Sequence, residues 1–484
     1  MNNIIEQIRL AENLFFSDNK IDSLDISPKF RAELESYYEN KNARLSEGFQ
    51  QEMYMLFFCF SLVKKHITKR KRVFIKVKRL LAVADILYSL DARKSSIALY
   101  TKCLTLSKRH KFDWAILRCA RVLYPHYSYY QQNLKKGEKF FKLYSLTKCR
   151  IDFEVECEHE VVQLIYHFSR SKELTKRIKE KASSAYSKLA IVTDDQRTFI
   201  FNRWFLYLSL MYFEAINDIK SLVHFLESHI QKLLASSLEL ENDKNLTYKY
   251  LCEYYLRTEK FDLFVESLES GLKIPRKYSP SWFRYKELES LYFLRIKKWN
   301  DAYDLLNQLV DHKFFSSVSQ IQQQRIVLKQ GYASIVMLLL SLGDSKVLKA
   351  LEKQIELIES ISEYSSDKKA MNISLIILQL LVSIWKKDLD LLEIRVEAVD
   401  KYLRRYTRSS PLFRSHSFIK ILLTFRRYNF VQIGAERNYR KYLKHLTSLP
   451  YATSPHPGEI ELVYYEDLVG IVESYLNDRQ LKMG

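Results

Sequence analysis

Apolar residues recur at spacings of three and four along most of the chain, which is the helical period. Around residues 248–272, Tyr248, Leu251, Tyr255 and Leu256 fall on one face of a helix. After the polar step RTEK, Phe261, Phe264, Val265, Leu268 and Leu272 form a second stripe. Neither stripe is wide enough to be buried alone, so the pattern predicts two antiparallel helices that bury each other's face. Gly271 and Cys252 are small residues placed where a close helix contact would use them.

The same step from a polar turn to an apolar anchor recurs. It is found as NDI at Ile219, EKF at Phe261, KKW at Trp299, GDS at Ser345, KDL at Leu389 and RYNF at Phe430, at intervals of 42, 38, 46, 44 and 41 residues. Upstream, KKGEKF at Phe140 lies 79 residues before Ile219, about two such periods. Self-similarity at 20–50 residues is the signature of a solenoid. A plain helical bundle with accidental regularity is the competing reading.

The segment Tyr248–Pro275 resembles a tetratricopeptide repeat. Tyr248, Leu251, Cys252, Tyr255, Phe261, Phe264, Leu268 and Gly271 occupy that motif's large and small positions, with Phe264 standing where a small residue is expected. The following stretch, YKELESLYFLRIKKWNDAYDLLNQLV, is similar, with Trp299 and Ala302 well placed and one extra residue in its turn. The other units match in hydrophobic spacing, and their period near 40 exceeds the family's 34. The expected fold is therefore all-α. The resemblance implies a right-handed superhelical solenoid of antiparallel helix hairpins, tetratricopeptide-like, with a degenerate period near 40.

Composition fits this picture. Among 484 residues there are only 9 Gly and 8 Pro, so long helices joined by short polar turns are expected. Residues 1–48, more polar and acidic, read as a leader or cap; 49–448 as the repeat array; 449–459, with three prolines, as a break; 460–484 as a C-terminal capping helix and tail. Six scattered Cys read as reduced thiols. No apolar run reaches the roughly 20 residues of a membrane span. The expectation is a soluble, cytoplasmic protein.

Enzyme chemistry finds little support. The nine glycines are never closer than 12 residues apart, which excludes a phosphate-binding loop, a nucleophile elbow and a dinucleotide fingerprint. No two His are three or four apart, so no helical His pair shares a metal. Glu156 and His159 have the spacing of half a carboxylate-bridged metal site, but no second such pair exists. No cofactor, metal or catalytic residue is expected.

The formal charge of +20 is uneven. Residues 61–110 carry 14 Lys/Arg against 2 Asp/Glu, and residues 395–450 carry 13 against 3. Basic-patch candidates are Lys69, Arg70, Lys71, Arg72, Lys76 and Arg79 in the first block, and Arg404, Arg405, Arg408, Arg426 and Arg427 in the second. Val73, Val77, Leu80, Ala84 and Leu87 make the apolar stripe of the first block's helix. Such blocks attract phosphate backbones, anionic lipids or acidic proteins, or are merely solvated faces.

The leading expectation is a non-catalytic protein-binding scaffold that holds a peptide or partner helix in the groove lined by the first helix of each hairpin. Groove candidates are Lys249, Glu253 and Arg257, with Lys286 and Ser290 in the next unit. Glu253 stands where a carboxylate-clamping repeat would carry Asn, which counts against that subtype. The alternative is a sequence-tolerant nucleic-acid-binding helical-repeat protein that uses the two basic blocks. A regulator with an N-terminal helix-turn-helix is weaker, because residues 1–60 lack the Gly-containing tight turn. The partner and the oligomeric state are not set by the sequence.

Overall fold

The computed structural model describes residues 69–170, 176–236, 240–342, 347–352, 368–386, 414–427, 432–448 and 461–481. Every regular element among them is helical. The leader, the Pro-containing break, the anchors Ser345, Leu389 and Phe430, and Arg404, Arg405 and Arg408 lie outside these residues. The described residues divide into two compact units, one within 1–162, 184–208 and 236–239, the other within 163–183, 209–235 and 240–484.

The first unit is built on α1 (Lys69–Ser89), α2 (Arg93–His110) and α3 (Asp113–Pro125). The α1 stripe is buried as its spacing predicts: Val77, Leu80, Ala84 and Leu87 pack on Tyr100, Cys103 and Leu104 of α2 and on Ala115, Cys119 and Leu123 of α3. A hydrogen bond with Cys103, and after it full burial, push the Cys119 thiol far above its ordinary pKa. A thiol so reluctant to ionise is a packing residue.

After α3 the chain makes a π turn, His126–Tyr130, and enters the 37-residue α4 (Leu134–Arg170). The expected turn before Phe140 is therefore absent, because KKGEKF lies in the opening turns of this helix. Its Lys and Glu are good helix formers, and its single Gly is used for close packing. Next come α5 (Lys176–Ala190) and α6 (Phe199–Ile216).

The second unit takes the end of α6, then α7 (Ile219–Ala235), α8 (Glu241–Arg257), α9 (Phe261–Leu272), α10 (Pro280–Arg295), α11 (Trp299–Val310) and α12 (Gln320–Leu339). From α7 to α12 each helix packs on its neighbour in sequence, and α8, α10 and α12 also touch one another in order. Three anchors, Ile219, Phe261 and Trp299, are the first residues of α7, α9 and α11. The positions sealed most tightly lie one turn later: Leu222, Phe264 and Ala302 have no exposed surface.

One backbone turn recurs at the ends of α1, α2, α6, α8, α10 and α12. The first or second residue after the helix adopts a left-handed conformation, at Asp91, Lys111, Asn217, Glu259, Lys297 and Ser341, with φ between 52° and 65°. The next N–H then donates to a carbonyl five residues back, as in Asp218 to Phe213 (2.9 Å), Lys260 to Tyr255 (2.9 Å) and Lys298 to Phe293 (2.9 Å). This closure satisfies carbonyls that the helix end leaves open, and it usually recruits Gly. Here side chains bear the left-handed strain of about 1–2 kcal/mol each.

The core of this unit lies around α12, in which a continuous run from Ile326 to Leu339 is buried. It is joined by α13 (Lys368–Lys386), α14 (Arg414–Arg427), α15 (Gln432–Ser448) and α16 (Tyr465–Leu481). Leu468, Val469, Val472 and Leu476 enter the core, and α16 packs on α12, α14 and α15. The segment before it and its own first turn reach back to two earlier turns. Tyr464 donates to Glu259 (2.8 Å), Lys297 pairs with Asp467 (2.8 Å), and the Arg295 guanidinium donates to the Glu461 carbonyl. Among the described residues no helix is long and apolar enough to cross a membrane.

Candidate functional site

The first helices of the second unit carry a ladder of opposite charges. Glu214 on α6 pairs with Arg257 on α8 and accepts from the Tyr254 hydroxyl (2.6 Å). Glu253 on α8 pairs with Arg284 on α10. Glu287 on α10 meets Arg325 (3.2 Å) and Lys329 (2.7 Å) of α12, and Arg284 of its own helix (2.7 Å). Each carboxylate thus reaches a base on the next first helix, which fixes the register of neighbouring helices more narrowly than apolar contact does.

Glu287 is the centre of this ladder and is fully buried. Burial opposes its ionisation, yet Arg284, Lys329 and Arg325 together hold it far below the ordinary carboxylate range. The same burial lowers the Lys329 ammonium to about 8, although Glu287 pulls it upward and Arg325 and Arg284 push it further down. Three cations meet at this one carboxylate, so Glu287 is over-compensated, while Arg284 has Glu253 as a second partner and Lys329 has only Glu287 to offset its burial. Arg284 Nη1 and Arg325 Nε lie against Glu287 without an aligned hydrogen bond.

The five groove candidates fare differently. Lys249, Glu253 and Arg257 lie along α8 at spacings of four, but Glu253 and Arg257 are taken by Arg284 and Glu214. Lys286 pairs with Glu289 (2.5 Å) on its own helix. Ser290 is fully buried and donates to the Glu287 carbonyl (2.8 Å), so it presents nothing to a groove. Among the described residues Lys249 makes no ion pair; burial lowers its pKa and Glu253 opposes that shift. Sequence reasoning missed Glu214, Arg284, Glu287, Arg325 and Lys329. The signal that could have found them is an acid on one first helix followed by a base 31 to 43 residues later, about one hairpin on.

The first basic block is only partly a solvated face. Lys69, Lys71 and Arg72 are exposed, whereas Arg70, Lys76 and Arg79 are half-buried. The Arg70 guanidinium lies over the rings of Phe112 (5.2 Å) and Phe199 (4.8 Å). Burial lowers the pKa of Arg79, and burial with Lys102 lowers that of Lys76. Long basic side chains here cover aromatic surface as well as carrying charge. Arg426 and Arg427 end α14. Glu156 pairs with Lys188, and among the described residues no three metal-ligating side chains gather.

Compared with protein-family models, with curated proteins and with solved structures, the chain matches none of them.

Proposed function

We propose that this chain is a non-catalytic binding scaffold, a tetratricopeptide-like right-handed solenoid of degenerate period near 40. It acts in the cytoplasm and holds an acidic peptide or partner helix along the face of α8, α10 and α12. One observation carries the reading. The charge ladder aligns these three helices, and the set around it holds four cations (Lys249, Arg284, Arg325 and Lys329) against two carboxylates (Glu253 and Glu287). A surplus of positive charge on aligned helices favours an anionic partner and steers its approach.

The test is capture from native lysate with tagged wild type and with Lys249→Glu and Arg325→Glu variants, with and without nuclease, at low and high salt. A defined protein partner that survives nuclease and is lost in both variants supports the reading. The second reading, nucleic acid held by the first basic block, rests on the exposed Lys69, Lys71 and Arg72. Nuclease-sensitive capture that depends on those three and ignores Lys249 and Arg325 would overturn the scaffold.

A further inference from the structure

Residues 114–151 carry eight Lys/Arg and a single Asp/Glu, and they lie outside both basic blocks, 61–110 and 395–450. Arg118 is bound to Asp85 and Arg150 to Asp113, and Lys148 sits beside Asp152. Arg121, Lys135, Lys139 and Lys142 are exposed and have no ion pair among the described residues. Lys135, Lys139 and Lys142 follow one another at spacings of four and three, so they line one face of α4.

Beside them the backbone is unusual. Pro125 closes α3, the π turn follows, and Gln132 takes a left-handed conformation before Asn133 caps α4 by accepting from the Lys136 N–H (3.0 Å). Gly137 lets α4 press on that turn: a Cβ there would lie 1.9 Å from Ser128 Oγ and 3.2 Å from its backbone nitrogen. Tyr127 faces inward, stacked on Phe140 (5.3 Å) with the Lys136 ammonium over it (3.8 Å). Its neighbours are turned outward, with Tyr129 76% and Tyr130 49% exposed.

The exposed rings form two pairs. Tyr129 and Tyr130 meet edge to face (5.1 Å), with the Arg93 guanidinium over Tyr130 (4.2 Å). Tyr124 and Phe141, 39% and 47% exposed, are tilted together (5.1 Å). Packing explains neither pair, since Tyr127 and Phe140 already fill the contact between turn and helix. Turns of this π kind are rare and recur at functional sites.

We propose that this edge of the first unit binds single-stranded nucleic acid without strong sequence preference. Bases stack on the Tyr129–Tyr130 and Tyr124–Phe141 platforms, and the phosphates run along Lys135, Lys139 and Lys142 with Arg121. Stacking rings beside an unpaired basic stripe are the two parts such a site needs. Three of the four rings carry a hydroxyl, which suits a stacked base better than insertion among lipid chains. An acidic protein segment would use the lysines and leave the rings idle. The inference is independent of the α8–α12 face and stands or falls without it.

The experiment is fluorescence anisotropy of the full chain with a labelled polyuridine of about 15 nucleotides. A duplex of the same length and phosphatidylserine vesicles serve as competing probes. Binding should favour the single strand and weaken steeply between about 50 and 200 mM salt. Tyr129→Ala/Tyr130→Ala should weaken it about 5- to 100-fold, and Tyr129→Phe/Tyr130→Phe should retain it. Charge reversal at Lys135, Lys139 and Lys142 should abolish it. The inference is overturned if wild type does not bind the strand, if the alanine pair binds as wild type does, if the duplex binds equally well, or if only vesicles respond to the alanine pair.

Discussion

Gly271 sits near the end of α9, and an added methyl there has nowhere to go. An ideal Cβ would lie 2.5 Å from Cε1 of Tyr285 and 2.6 Å from its Cζ and hydroxyl oxygen. Carbon atoms rest at about 3.5–4.0 Å, so the ring must retreat by about 1 Å. Tyr285 has no exposed surface, and its hydroxyl donates to the Asn245 carbonyl (2.9 Å). Retreat therefore forces overpacking, about 1–3 kcal/mol, and loses a hydrogen bond worth about 1 kcal/mol. The better helix propensity of Ala returns about 1 kcal/mol. Gly271→Ala should destabilise the second unit by about 1–3 kcal/mol.

Gly470 supplies the control. It is exposed inside α16, and an added Cβ meets nothing within 4 Å. Gly470→Ala should stabilise by about 1 kcal/mol, from propensity alone. Urea unfolding followed by tryptophan fluorescence reports both, since Trp282 and Trp299 lie in α10 and α11. A chain with two units need not unfold in one step, so the midpoint of the transition seen by these residues is the quantity compared. Combining Gly271→Ala with Tyr285→Leu should show a coupling that offsets the clash. If Gly271→Ala unfolds at or above the wild-type midpoint, the close approach of α9 to α10 is not a constraint and the reasoning fails.

Glu287→Gln leaves three cations around a neutral amide and should cost about 3–5 kcal/mol. Lys329→Met removes the poorest-compensated of those cations and should cost under about 1.5 kcal/mol. Urea midpoints in the reverse order would refute the over-compensation argument. Lys329 also sets a pH dependence. Its folded value of about 8 lies below the ordinary 10.5, so between them the unfolded chain holds a proton that the folded chain has released. Stability from this group then rises with pH across that window, by up to about 1.4 kcal/mol per unit. The wild-type minus Lys329→Met difference in unfolding midpoint, followed from about pH 8 to 10, isolates that rise from other titrations, and a flat difference would refute it. Arg414 grips Glu461 through two bonds (2.9 and 3.0 Å), Glu466 (2.6 Å) and the Leu446 carbonyl (2.9 Å). Arg414→Ala should cost about 3–5 kcal/mol, with hydrogen exchange in α16 speeding up before exchange in α8 to α11. Unchanged protection of α16 would show that the arginine does not hold the C-terminal segment.

Much of the second unit is legible in the chain because its determinants are local. A helix and its end are set by residues within about one turn of each other, so the starts of α7, α9 and α11 at Ile219, Phe261 and Trp299 follow from stripe and polar step alone. The same locality explains the error at Phe140, where a polar step with Gly imitates a turn. What distinguishes it is the contact of Gly137 with Ser128, nine positions earlier and beyond the reach of a period argument. The left-handed residues were hidden for a related reason: Asp, Lys, Asn, Glu and Ser fill a site that normally advertises itself with Gly.

The candidate sites were less legible. Charge counts locate basic residues but not their partners, and a lysine facing water reads the same as an arginine laid over Phe112 and Phe199. Glu253 and Arg257 read as groove residues until the neighbouring helices bring Arg284 and Glu214 to them. Nothing in the spacing of Tyr129 and Tyr130 distinguishes them from buried rings, yet they face water. By itself the sequence determined an all-helical chain, the places where several helices begin, and the stripes that α1, α8 and α9 bury. These depend on backbone and side-chain preferences acting over a few residues. Only the tertiary structure decided which carboxylate meets which base, that the C-terminal segment folds back on the turns at Glu259 and Lys297, and which rings are left facing water. Those outcomes depend on distances between residues tens to hundreds of positions apart, which spacing along a chain does not encode.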